Sequence, residues 1–595
     1  MAKTFHTQDW IHWLEVGEGA RWIRLAAAVV ATLALSGVVA WKQFHGPTSE
    51  TTLLQADMGR QIANGAGCTT LVTYPQTVAT LKLRGTDYDP GRPYPELSQA
   101  PLYAFSIAGI LKAYPQAKRR HLFEPTELPQ DGFRADYVLL GLNLIFFWTA
   151  LWLTYDLGSR LFGVGAGWLS ALALLLSLPV WKQVVAVNGT PLMMVVVLCA
   201  FEAWWRVETA PAFRQAMIPL GLLGLACGAL FLGEYSAGTL IFVVAASLVV
   251  RFAGRERGMA IGLVLAGFAL VAIPWVARNW AVSGNLVGLA SQNVALKAGD
   301  PTAEPATFRA TLSAQPPRLD INKLGNKTLT SIQENLRSRI WSGGALWLAA
   351  FFVASWLYAF RAPAVNRLRW WYVIAFFVLL AAQAAFNSGE SERWVAVWLV
   401  PLTVVFGAGF FFVLLGSHPT LSSWPAVCGA ALLVLQSLPL LHDALEPAGW
   451  HFQYPPYFPE LFQDMRKELA NRRALGRFGV MADVPAGAAW YGSMRTWAQP
   501  PRLRDFYEIE VEQPVGELLL TPKTLDRPFF SDLNAKPRIP VMLAPLVHPG
   551  GEWGEIYAGL LTGNLPGEFP LSAPQKVYDN LYVLLNPALP PPVGK

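Results

Sequence analysis

From residue 23 onward the chain repeats one pattern: a long apolar run, a short polar break, then another apolar run. Crossing the hydrocarbon core of a bilayer takes about 20 mostly apolar helical residues. Runs of that kind predict helices over 23–41, 137–157, 163–181, 190–205, 216–233, 235–251, 259–277, 344–360, 370–387, 394–415 and 422–441. A further apolar run, 101–114, is too short for a span and suits an interfacial or re-entrant helix. The pattern therefore predicts an α-helical polytopic membrane protein with about 11 transmembrane helices.

Three stretches fall outside the pattern. Residues 1–22 read as a cytoplasmic amphipathic lead-in, with Trp10, Trp13 and Trp22 placed to lie on the membrane surface. Asp9, Glu15 and Glu18 before the first span argue against a cleavable signal peptide. The transmembrane unit, 23–441, carries two large loops, 43–136 and 279–343. The remainder, 442–595, changes character: an amphipathic helix from Pro459 to Leu475 is followed by short apolar runs at 478–481, 518–520, 541–543 and 581–585. Strand-like runs alternating with helical ones predict a C-terminal soluble α/β domain, long enough for an independent core.

Composition and charge sharpen this picture. Of 595 residues 53% are hydrophobic and only 14% charged, against about 25% charged in soluble domains. The net charge of +6 sits in the breaks between runs, which excludes a nucleic-acid-binding reading. One set of breaks holds Arg21, Arg24, Arg160, Arg206, Arg214, Arg251, Arg255, Arg257, Arg361, Arg367 and Arg369. The alternate breaks hold little beyond Lys182 and Arg393. Basic residues favour the cytoplasmic side, so the N-terminus is expected in the cytoplasm and both large loops and the tail outside, in a bacterial inner (plasma) membrane. Three of the four cysteines, Cys199, Cys227 and Cys428, fall in apolar runs, leaving Cys68 alone outside them; a disulfide framework or cysteine metal site is not expected.

Several local patterns carry a resemblance. Ala56-Asp57 through Asn64-Gly65 is similar to an acidic first-loop motif, and Gln99-Ala100-Pro101-Leu102-Tyr103 to an element that precedes an interfacial helix. Leu157 to Gly163 is similar to a tight cytoplasmic turn, Gly228 to Tyr235 to a span-ending segment, and Ile273-Pro274-Trp275 through Arg278-Asn279-Trp280 to a span exit. Glu392-Arg393-Trp394 is similar to the entry of a late span, and Asp483-Val484-Pro485 to Ala489-Trp490-Tyr491-Gly492 to a tail motif. Taken in order, these resemble the GT-C glycosyltransferase superfamily, nearest its protein-mannosyltransferase-like branch and bacterial relatives. The chain departs from that pattern at Met58, Asn188 and Glu234, where relatives often carry an acid or aromatic, an acid and a base respectively.

The resemblance implies a membrane enzyme that moves a sugar from a polyprenyl-phosphate donor to an extracytoplasmic acceptor with inversion. A carboxylate at the membrane surface would activate the acceptor hydroxyl, and cations would offset charge on the leaving lipid phosphate. It implies Asp57 as the catalytic base and Arg278 and Arg393 as phosphate partners. Glu234, Tyr103, Lys82 and Arg84 are further substrate-binding candidates, with Trp490-Tyr491 as a sugar platform. Asp87 and Asp89, together with Glu96, offer oxygen ligands to a possible divalent cation. Expected partners are the lipid-linked sugar, membrane lipids and a possible membrane-complex partner. The alternative is a catalytically inactive GT-C-like scaffold acting as a subunit of a membrane protein complex; a transporter reading lacks two similar halves with broken spans.

Overall fold

The fold was obtained as a computed structural model that describes residues 18–47, 49–86, 92–124, 133–296, 309–339, 344–345, 347–386, 395–445 and 459–521, then 563–578, 581–592 and isolated residues between 553 and 560. Among the described residues eight helices are long and apolar enough to cross a membrane. They are Trp22–Gln43, Arg134–Phe162, Thr190–Thr209, Phe213–Gly233, Gly254–Ser283, Pro363–Phe386, Val400–Ser417 and Pro425–Leu445. A ninth passage is a broken pair, Val164–Leu175 and Leu178–Val185, bent by 56°. The break falls at Ser177, and Pro179 follows inside the second helix, where its missing N–H costs nothing.

The expected count of about eleven is thus met by full-length helices at only eight positions. Two further positions carry shorter apolar helices, Tyr235–Arg251 and Trp347–Leu357. The first begins as a 3-10 turn and the second ends as one, a tighter winding frequent at helix termini. The 101–114 run forms the helix Leu102–Ala113, short as expected. Close packing between spans rests on small residues. At Gly224 a Cβ would lie 2.2 Å from the Val264 carbonyl oxygen, so only glycine lets the Phe213–Gly233 and Gly254–Ser283 helices touch there.

Strands lie outside the helical bundle: β1 (Thr69–Thr70), β2 (Val72–Thr73), β3 (Tyr94–Pro95), β4 (Gly479–Ala482), β5 (Thr496–Ala498), β6 (Val515–Leu520), β7 (Ser572–Tyr578) and β8 (Leu581–Leu585). β1 and β3 form a small antiparallel ribbon within the first loop. The other six form one mixed sheet in the order β2-β5-β4-β6-β8-β7, parallel across its first four strands and antiparallel across the last pairs.

Two-residue periodicity divides this sheet into two faces. Val480, Ala482, Leu519 and Val583 face the helices Pro459–Asn471 and Pro485–Gly492, in a core shared with Leu53, Ala56, Tyr103 and Leu139. Met481, Leu518, Leu520, Tyr582 and Leu584 face the other way, onto Phe506 and Ile509 of the helix Leu503–Glu512 and onto Val78 and Leu81 of Pro75–Leu83. The first loop therefore supplies an edge strand and a covering helix to the tail's sheet. The expectation of an independent tail core is corrected: the first loop contributes to the hydrophobic clusters on both faces of the tail's sheet, because a short mixed sheet needs cover on both faces.

Candidate functional site

Asp57 sits in the helix Glu50–Ala63, opened by Ser49, whose hydroxyl accepts from the Thr52 N–H. Its carboxylate is completely buried. Oδ1 accepts from Arg60 and, at 3.3 Å, from Gln61; Oδ2 accepts from the Thr70 hydroxyl at 2.9 Å and the Leu71 N–H at 2.7 Å. A carboxylate offers about four acceptor positions, and here four donors take them. Arg60 extends the network into the tail, donating to the Ala489 and Trp490 carbonyls and, at 2.9 Å, to the Ser493 hydroxyl. Those carbonyls are the unpaired end of the Pro485–Gly492 helix, so the arginine acts as its C-terminal cap. The guanidinium also lies over the rings of Phe123 and Trp490.

Arg278 braces the same segment from the bundle. In the last turns of Gly254–Ser283, it donates to the Glu96 carbonyl at 2.6 Å, the Cys68 carbonyl at 2.8 Å and Asn279 Oδ1 at 2.8 Å. These bonds take three of its five N–H groups. Its guanidinium stacks 4.8 Å above Trp275. Asp57 and Arg278 thus both bind the 68–71 segment, and their helices share a cluster in which Met58 packs with Trp275, Ala104 and Leu232. Burial pushes the Cys68 thiol above its ordinary value, with Arg278 pulling the other way.

The remaining candidates disperse. The Tyr103 side chain is buried, its hydroxyl donating to the Val187 carbonyl at 2.6 Å and meeting Asn143 Oδ1 at 3.0 Å. Lys82 pairs with Glu512 of the tail. Arg84 lines a polar cavity of about 460 Å³ with Thr80, Ser283, Asn285, Ser291 and Gln292. Glu234, between two bundle helices, accepts from Ser236 and, at 2.9 Å, from Gln383, which in turn receives the Val395 N–H. Arg393, Asp87 and Asp89 lie outside the described residues. Glu96 commits Oε1 to its own turn, accepting from the Ser98 and Gln99 N–H groups. No group of three metal-ligating side chains occurs among the described residues. The sugar-platform reading of Trp490-Tyr491 is corrected: both rings are buried, and their N–H and O–H donate to the Asp136 carboxylate at 2.8 and 3.0 Å.

Sequence reasoning passed over Arg60, Asp136 and Lys327. The first had a visible signal, a basic residue three positions after Asp57 on one helix. Asp136 stands in the first turn of a predicted span, where a carboxylate reads as an ordinary boundary residue. Lys327 lies on the amphipathic helix Ile321–Glu334, its ammonium donating to the Asn293 and Ala385 carbonyls. Burial pushes that ammonium down to about 8. Inside the bundle, an apolar cavity of about 240 Å³ is lined by Leu336, Ala345, Phe352, Trp356, Phe376 and Ala396, among others.

No family model matches the chain and no curated protein matches it. Solved structures do. An ArnT from Cupriavidus metallidurans, bound to undecaprenyl phosphate, superposes with a TM-score of 0.52 at 12% identity, covering 95% of this chain and 98% of that one. The Archaeoglobus fulgidus oligosaccharyltransferase complexed with zinc and sulfate gives 0.51 at 11% identity, covering 82% and 67%. Its apo form gives 0.50 at 10%, covering 84% and 70%. Both proteins are GT-C membrane glycosyltransferases. With its apolar helices, its large first loop and its tail packed on that loop, the chain has the GT-C fold.

Proposed function

We propose that this protein transfers a sugar from a polyprenyl-phosphate donor to an extracytoplasmic acceptor, with inversion at the anomeric carbon. The observation that carries the reading is the superposition on ArnT over nearly the whole of both chains, since ArnT in that structure holds undecaprenyl phosphate. The apolar cavity among the helices Trp347–Ala354, Pro363–Phe386 and Val400–Ser417 offers the isoprenoid chain an apolar slot. Burying its methylenes there is favoured by about 0.8 kcal/mol each only relative to water; against lipid the gain is shape alone.

In this reading Asp57 is the base, Arg278 and Arg393 meet the lipid phosphate, and Glu234 orients the outer end of the Pro363–Phe386 helix through Gln383. Asp57 can take a proton only after one of its four donors withdraws. Thr70 and Leu71 are the pair to yield, since Arg60 and Gln61 are held in the same helix. Arg278 keeps two N–H groups beyond those bound to the loop and Asn279. Lys82 and Arg84 stand at the loop's rim for an anionic acceptor, and Tyr103 supports the site from within.

The test is direct. Purified protein is supplied with undecaprenyl-phosphate-linked sugars of several kinds and with membranes as acceptor, and release of undecaprenyl phosphate is followed. Release dependent on Asp57 supports the reading. Absence of both turnover and donor binding across the set would remove it.

A further inference from the structure

Cations in this chain gather at the ends of spans facing away from the tail, as the arginine-rich turns show. Single cations such as Lys182 and Arg278 stand at the other ends, and one segment there concentrates several. Between the helix Leu102–Ala113 and the span Arg134–Phe162, on the end of the bundle that carries the tail, lie Lys112, Lys118, Arg119, Arg120 and His121, and Arg134 opens the span. Basic charge close to a span end on that side is uncommon, and Arg119, Arg120 and Arg134 lie within about 15 positions of the start of Arg134–Phe162.

The geometry limits what the cluster is doing. Arg119 has a structural task, donating to the Ala63 carbonyl at 2.6 Å and so tying the basic turn to the Asp57 helix. Phe123 anchors the other side of the turn, edge-on to Trp490 at 5.0 Å. His121 pairs with Glu124. Lys112, Lys118, Arg120 and Arg134 are exposed, and among the described residues their side chains make no hydrogen bond or ion pair. The turn is therefore anchored at two points while these four charges face outward.

Its height relative to the bilayer follows from its neighbours. Arg134 and the half-exposed Tyr137 begin a span; Tyr137 meets Phe44 edge-on at 5.4 Å just past the end of the first span, where Trp41 is 83% exposed. Phe105 projects from the short apolar helix. Aromatic rings of this kind mark the headgroup level, and the exposed cations stand beside them.

We propose that this basic shoulder, Lys112, Lys118, Arg120 and Arg134, is a docking surface for the phosphate headgroups of anionic bilayer lipids. Charge complementarity and the flanking aromatic belt favour bilayer lipid over a soluble polyanion. The surface would fix how deeply the first loop sits and so the level of the candidate site above the membrane. It stands whether or not sugar transfer is found.

The experiment uses the full chain in detergent with mixed dioleoyl phosphatidylglycerol and phosphatidylcholine, counting retained lipids by native mass spectrometry. Each cation near a membrane surface favours anionic lipid about fivefold. The triple variant Lys112→Gln/Lys118→Gln/Arg120→Gln is expected to lower the phosphatidylglycerol preference by about tenfold or more, with its thermal melt unchanged in phosphatidylcholine. Raising salt to 1 M should erase the wild-type preference, as screening shortens to about 3 Å. Equal preference in wild type and triple variant would overturn the proposal. So would an equal loss in Arg255→Gln/Arg257→Gln at the opposite end, or displacement of the lipid by millimolar inorganic phosphate.

Discussion

Arg60 follows Asp57 by one helical turn and carries its charge into the tail, where it caps the Pro485–Gly492 helix. Both side chains are almost wholly buried, so neither charge is tolerable without the other. This pair makes the candidate base a structural joint as well. Asp57→Asn should therefore do two things: reduce transfer by about 100-fold or more, and lower stability by about 3 kcal/mol because Arg60 is left uncompensated. Adding Arg60→Met should recover part of the melting temperature and none of the transfer. If the double variant regains activity together with stability, Asp57 serves only as the partner of Arg60.

Asp136 ties the span beginning at Arg134 to the tail through Trp490 and Tyr491. Asp136→Ala leaves a buried indole N–H and a buried phenol unpaired, at a cost of about 1–3 kcal/mol for each orphaned donor. The expected outcome is faster proteolytic release of the tail and altered tryptophan emission, while the bundle still inserts. Unchanged proteolysis would mean that the shared hydrophobic core alone holds the tail.

Glu517 stands on the central strand β6, 1% exposed, with Oε2 unpaired among the described residues. Burial, and secondarily Glu468, pushes its carboxyl up to about 8 from 4.5, with Arg472 pulling down. A raised folded value means that the native state holds the proton longer than the unfolded chain. The stability this contributes is whole below pH 4.5 and is lost as pH rises toward 8, with a slope of at most about 1.4 kcal/mol per pH unit. Glu517→Gln should flatten that slope and make the variant the more stable protein at pH 8. Denaturation followed at pH 5, 6.5 and 8 checks it; parallel wild-type and variant curves would place the pH dependence elsewhere.

Arg278→Lys keeps a charge but loses the planar fork that reaches the Cys68 and Glu96 carbonyls together. The β1–β3 ribbon should then loosen, read as faster hydrogen exchange at Thr69 and Thr70, and donor-dependent transfer should fall by about tenfold. Normal exchange with impaired transfer would assign Arg278 to the phosphate alone.

The bundle was legible because its signal is long: a run such as 259–277 is apolar for many turns, whatever surrounds it. The two shortened positions were less so, since hydropathy does not report where a winding tightens, as at Tyr235–Thr239. The joint between loop and tail was not legible at all. β2 is two residues, Val72–Thr73, too short for any periodicity, and its partner Thr496–Trp497 is more than four hundred positions away. Asp57 stood out as an acid near a span; its burial depends on Thr70, Leu71 and residues of the tail, which no local pattern announces. Tyr103 fell in a recognisable element, yet what its hydroxyl touches was set by Asn143 on the span Arg134–Phe162 and by Val187 in the turn that follows Leu178–Val185.

The apolar cavity offers the sharpest test of the donor's lipid. Ala396 lines it and is 6% exposed, so a larger side chain there must grow into the roughly 240 Å³ of space. Ala396→Phe should cost little stability, because filling an existing void adds contacts without displacing neighbours. It should obstruct a long isoprenoid chain while sparing a short one. The expected outcome is a KM raised about tenfold or more for an undecaprenyl-phosphate sugar, with little change for a donor of two or three isoprene units. Such a split separates chain binding from the chemistry at the phosphate, which both donors share. Equal impairment of both would mean that the substitution disturbs the fold. If neither is impaired, the chain lies along the outer surface of the bundle and the cavity has no part in donor binding.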